Sequence, residues 1–71
     1  MKYNLNKFSE RLAEARMLAG LSQQSLEKKS GVTRACIWRY ENGINIPRAD
    51  LLSHLATVLN VSIDWLLGGE E

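Results

Sequence analysis

The sequence predicts an all-α domain of five helices. Apolar residues recur at helical spacing in one segment after another, no strand-like alternation of any length occurs, and polar caps and glycine or asparagine stops separate the segments. At 71 residues the chain holds one domain at most and buries only about 60% of its unfolded surface, which leaves no room for a deep catalytic cleft. Hydrophobic residues at 45% and charged ones at 24% place it among folded soluble domains, far from disordered compositions.

In the first segment Phe8, Leu12, Ala15 and Ala19 share one stripe, with Asn4 or Asn6 as the cap and Gly20 as the stop. Ser22 caps a short second helix that runs to about Lys29, and Leu21 and Leu26 stand in the hydrophobic-staple positions around that cap. Gly31 ends it. The same grammar repeats in helix three: Thr33 caps, Val32 and Ile37 staple, and the helix runs to about Glu41 before Gly43. The loop "GINIP" leads to a fourth helix near residues 48–59, whose broad apolar face carries Leu51, Leu52, Leu55, Val58 and Leu59. Asn60 suits a left-handed stop. Ser62 then caps "IDWLL", with Asp64 near the positive helix end and Trp65 expected in the core. The domain is expected over residues 1–67, with 68–71 as a tail or the start of a linker, so the chain is either the head of a longer protein or complete.

The formal net charge of +1 hides a strong asymmetry. All nine Lys and Arg lie at or before Arg48, whereas from Leu51 onward the only formal charges are on Asp64, Glu70 and Glu71. Lys28, Lys29, Arg34, Arg39 and Arg48 face a single acid, Glu41, within one short stretch. Such a local excess suits a polyanion without naming one, and a solvated face explains it equally well.

Helices two and three are joined only by "SGVT", too short for the two to lie antiparallel, so they must cross steeply. Two short helices joined by a glycine-containing turn, one of them bearing bases, are the sequence form of helix-turn-helix. Val32, Ile37 and Tyr40 assign one side of helix three to the core. On the other side Arg34 and Trp38 lie one turn apart, as do Ala35 and Arg39, with Thr33 and Asn42 at the two ends. The major groove of B-DNA, about 12 Å wide, admits a helix and offers guanine O6 and N7, which match the arginine fork. Ala35 allows close approach, and its methyl suits the thymine methyl. For Trp38 two placements stay open: the wheel turns it outward, while tryptophan is more often buried.

The stretch "LSQQSLEKKSGVTRACIWRYENG", followed by "LATVLNVSIDWLL", resembles the DNA-binding domain of the lambda Cro/CI-type phage repressors and their bacterial relatives (XRE-type), over residues 6 to 67. The resemblance implies a five-helix lambda-repressor-like domain with helix three as the recognition helix. It also implies sequence-specific binding of double-stranded DNA by a homodimer on a pseudo-palindromic operator, in a transcriptional regulator of the phage- or prophage-repressor type. Arg34, Ala35, Trp38 and Arg39 are then expected at base edges, and Gln23, Thr33, Asn42 and Arg48 on the DNA backbone. Arg16 and Glu41 match a structural ion pair of the family. Two residues depart from the pattern: Glu27 stands where the family has alanine at the helix crossing, and Ser30 replaces a more apolar residue. Glu27 is expected to bend outward, towards Lys28 or Arg11.

Other chemistries find less support. His54 and Cys36 lack zinc-ligand spacing, and the serines read as caps or surface residues with no orienting base, so neither a metal or other cofactor nor catalysis is expected. No small-molecule ligand is evident. The lone cysteine fits a reducing, cytoplasmic location, and the polar, charged start and lack of a long apolar run lead us to expect neither a signal peptide nor a membrane span. Leu66, Leu67 and the end of helix four offer a small apolar contact for a dimer. The alternative function is a protein-interaction adaptor on the same scaffold, using Trp38 and the C-terminal leucines.

Overall fold

The computed structural model describes residues 5–69, and all regular secondary structure among them is helical: α1 (Leu5–Leu18), α2 (Gln23–Ser30), α3 (Arg34–Glu41), α4 (Ala49–Leu59) and α5 (Ile63–Leu66). Helices this short are marginal in isolation and depend on tertiary packing. Each buries one stripe in a single shared core: Phe8, Leu12 and Ala15 from α1, Leu26 from α2, Ile37 and Tyr40 from α3, Leu52, Leu55, Ala56 and Leu59 from α4, and Leu66 from α5. Helix α1 packs on α3 and α5, α2 on α3 and α4, and α4 on α5. The Phe8 and Tyr40 rings meet edge to face, centroids 6.3 Å apart and planes at 69°.

The caps follow the sequence reading. Ser22 Oγ accepts the Ser25 N–H at 3.0 Å, Thr33 Oγ1 accepts that of Cys36 at 3.3 Å, and Ser62 Oγ accepts that of Trp65 at 3.0 Å. Gly31 ends α2 in the left-handed region, φ 80°, with its N–H on Glu27 O at 2.8 Å. Asn60 does the same for α4 at φ 58°.

Several expectations need correction. Asn6 lies inside α1 and is no cap, while Asn4 falls outside the described residues. Helix α1 stops at Leu18 because the Leu21 N–H turns back to Arg16 O at 3.1 Å, which leaves Ala19 exposed and off the apolar stripe. Glu27 is half-buried and pairs with no described cation; the Arg11 guanidinium instead donates from Nη1 to Trp65 O at 2.6 Å and Gly69 O at 2.7 Å. Trp65 is half-buried at the rim of the core, its ring under that guanidinium at 4.9 Å. Beyond α5, Gly69 is buried and donates its N–H to Asp64 O at 2.9 Å, while Glu70 and Glu71 lie outside the described residues. Leu66, expected at a dimer contact, is fully buried, leaving half-buried Leu67 and Val58 and the more exposed Ile63 on that side.

Ser30 links the end of α2 to the turn before α3. Its Oγ donates to Leu26 O at 2.7 Å and accepts the Val32 N–H at 3.1 Å, so a hydroxyl closes the turn where an apolar side chain was expected. From α4, His54 Nε2 donates to Ser30 O at 2.7 Å and satisfies a carbonyl at the end of α2.

One ion pair ties α1 to α3. Arg16 Nε and Nη2 meet Glu41 Oε2 and Oε1 at 2.6 and 3.1 Å, with only 13% and 6% of the two side chains exposed, and Arg16 Nη1 donates to Leu21 O at 2.8 Å. The hydrogen bond to Glu41 raises the Arg16 pKa above its ordinary value.

Two predictions follow from this packing. Replacing Arg16 or Glu41 alone by alanine strands a buried charge and is expected to cost about 3 kcal/mol, whereas Arg16→Met together with Glu41→Leu is expected to cost less than either single change. Thermal denaturation followed by circular dichroism ranks the three; a double variant less stable than both singles refutes this. Burial, with a smaller contribution from Cys36, raises the Tyr40 pKa above its ordinary 10.0, against Arg39 and Arg48. The unfolded chain then loses its phenolic proton first, so the Tyr40 contribution to stability is complete below pH 10 and is lost as pH rises through the folded pKa. Tyr40→Phe is expected to lose less stability than the unaltered chain between pH 9 and 11, a range set about that ordinary value, as measured by urea denaturation.

Candidate nucleic-acid interface

Helix α3 has eight residues and two faces. Ile37 is fully buried and Tyr40 nearly so, which fixes the rotation of the helix about its axis and turns Arg34, Ala35, Trp38 and Arg39 out to solvent. The two placements open for Trp38 are thereby decided: the residue is 50% exposed. The indole thus shares the outward face of α3 with Arg34 and Arg39.

These four side chains line one open depression of about 580 Å³, and the fifth lining residue is Gln23, the first residue of α2. The turn closed by Ser30 and His54 brings the start of α2 alongside α3. The base-edge set of the sequence reading and one member of the backbone set thus share a single concave surface. It is cationic from Arg34 and Arg39, small at Ala35 and apolar at Trp38.

The other members of the backbone set flank this surface. Thr33 is the exposed N-cap of α3, its hydroxyl oxygen engaged by the Cys36 N–H while the hydroxyl hydrogen remains able to donate. Exposed Asn42 caps the other end and donates from Nδ2 to Trp38 O at 2.8 Å. Arg48 precedes α4 and reaches Asp50 Oδ1 at 3.1 Å, with 83% and 74% of the two side chains exposed. Water screens so open a pair, and a phosphate can draw the guanidinium away from it. The loop between them also exposes Ile44 and Ile46, which the sequence reading did not single out.

Gln23 has a partner that no local pattern foretold. Its Nε2 donates to Glu41 Oε1 at 3.0 Å, so the carboxylate that holds Arg16 also holds the amide at the mouth of the depression. The two residues lie 18 positions apart on different helices, and only the folded crossing brings them together. The His54 to Ser30 contact, 24 positions apart, escaped notice for the same reason.

Among the described residues, no helix is long and apolar enough to cross a membrane. The chain is 40% identical over 64 residues to the uncharacterized HTH-type transcriptional regulator YqaE of Bacillus subtilis, covering 90% of this chain and 55% of the relative. It therefore spans about half the length of that curated relative. Among solved structures, the restriction-modification controller protein C.AhdI from Aeromonas hydrophila superposes with a TM-score of 0.79 at 35% identity, covering 87% of this chain and 94% of the other. The P22 c2 repressor, solved in complex with a synthetic operator, superposes with a TM-score of 0.82 at 30% identity, covering 89% of this chain and 96% of the solved one. The helix-turn-helix family model matches residues 12–66, from the middle of α1 to the end of α5. On this match and the shared five-helix architecture, the chain belongs to the Cro/CI-type (XRE) family of helix-turn-helix domains.

Proposed function

We propose that the chain is the sequence-specific DNA-binding module of a cytoplasmic transcriptional regulator of the phage-repressor type, and that it works by binding rather than catalysis. The observation that carries this reading is the outward placement of Arg34 and Arg39 on α3 while Ile37 and Tyr40 anchor the opposite face. A helix held this way enters the major groove with its arginine forks towards guanine edges. Ala35 lets the backbone approach, and the exposed indole of Trp38 covers apolar groove surface such as a thymine methyl. Gln23, Thr33, Asn42 and Arg48 meet phosphates on either side of the helix and set its register without reading bases. The α2 N-terminus adds the positive end of its dipole near Gln23.

Two copies related by a two-fold axis, with recognition helices one DNA turn apart, fit a pseudo-palindromic operator. The P22 c2 repressor, similar to this chain over nearly its whole length, is solved in complex with a synthetic operator, which supports double-stranded DNA as the partner. The same exposed Trp38 is the one observation that favours the alternative, a protein-interaction adaptor. The two readings differ in their salt dependence, because phosphate binding releases counterions and an apolar protein interface does not.

On a randomised operator library, Arg34→Ala and Arg39→Ala are each expected to relax base preference by about 1–3 kcal/mol at one position, while Gln23→Ala weakens all sequences similarly. Unchanged preference in both arginine variants removes the proposed readout. Affinity for an operator fragment is expected to fall with a log–log salt slope of about −0.9 per phosphate neutralised. A flat salt response in mobility-shift titrations counts for the adaptor.

A further inference from the structure

Glu41 is a shared acceptor. Its Oε1 takes the Nε2–H of Gln23 at 3.0 Å and the Nη2–H of Arg16 at 3.1 Å, while Oε2 takes the Arg16 Nε–H at 2.6 Å. Arg16 is held in turn by Leu21 O, the residue before the Ser22 cap, so α1, the start of α2 and the end of α3 close into one polar network. Gln23 is the network member that also lines the depression on the recognition face. A glutamine side chain has three rotatable bonds, and fixing them on DNA binding would count against affinity. Here the ordering accompanies folding, and Gln23 keeps its second Nε2 hydrogen and its Oε1 for the ligand.

We infer that Arg16 and Glu41 are positioning residues for DNA contact, acting through Gln23: the buried carboxylate presents the Gln23 amide, already oriented, to a DNA phosphate. This rests on the DNA-binding reading above and adds a second task to a pair otherwise understood as structural. Gln24, the next residue, is exposed and takes no part in the network, so it serves as an internal reference.

Side-chain amide ¹⁵N relaxation on the DNA-free protein tests the orientation directly. The Gln23 amide is expected to have a clearly higher order parameter than that of Gln24; equal mobility overturns the inference. A double-mutant cycle tests the consequence. Arg16→Met with Glu41→Leu removes the acceptor without stranding a charge, and at a temperature where circular dichroism shows every variant folded it is expected to weaken binding to an operator fragment about three- to tenfold, the effect of one lost hydrogen bond. In a Gln23→Ala background the same pair of changes is expected to cause no further loss. An equal loss in both backgrounds makes the pair merely structural and overturns the inference, leaving the DNA-binding reading intact. Absence of salt-dependent DNA binding by the unaltered chain overturns both. Should the paired variant fail to fold, the relaxation comparison decides alone.

Discussion

The carboxylate of Glu41 is the point at which three segments of this chain are held to one another. A helix of eight residues has little stability of its own, and α3 needs both its angle and its rotation set from outside. Ile37 and Tyr40 set the rotation by burial, and the ion pair to Arg16 sets the lean of the C-terminal end against α1. Burial acts without regard to direction, whereas the two-point contact between guanidinium and carboxylate tolerates little change in angle. The exposed strip of Arg34, Ala35, Trp38 and Arg39 has a defined orientation because both kinds of restraint act on the opposite side of the same helix.

The turn before α3 shows how polar atoms take over work that apolar packing does elsewhere. Ser30 joins the last turn of α2 to Val32 through its hydroxyl, and His54 reaches from α4 to the Ser30 carbonyl. A domain this small has few buried side chains to draw on, and helix ends leave carbonyls and amides that require partners. Capping hydroxyls, the Ser30 bridge and the His54 contact answer that requirement in sequence order from α2 to α4. The Arg11 guanidinium does the same at the end of α5, where the Trp65 and Gly69 carbonyls converge on it.

Most of the fold was legible from local chemistry. Ser22, Thr33 and Ser62 are caps because a hydroxyl one residue before a helix satisfies a free N–H, and Gly31 and Asn60 are stops because they tolerate the left-handed conformation. The outward strip of α3 followed from helical periodicity. What stayed hidden was non-local: the contacts Gln23 to Glu41, His54 to Ser30 and Arg11 to Gly69 join residues with no fixed spacing. Trp38 lay between these cases, since periodicity and residue type pointed in opposite directions and only the packing of Ile37 decided between them. Leu66 and Leu67 show the reverse difficulty, for adjacent leucines at the last turn and C-cap of a one-turn helix do not share a face, and the sequence does not say which one turns inward.

The two indoles of this protein occupy unlike surroundings. Trp38 stands half in water on the face that carries Arg34 and Arg39, while Trp65 lies beneath the Arg11 cation at the edge of the core. Excited indole responds to the polarity around it, so the emission of the unlabelled molecule divides into a component from the recognition face and another from the clamp on the last helix. An event at either place therefore changes the light the protein itself emits.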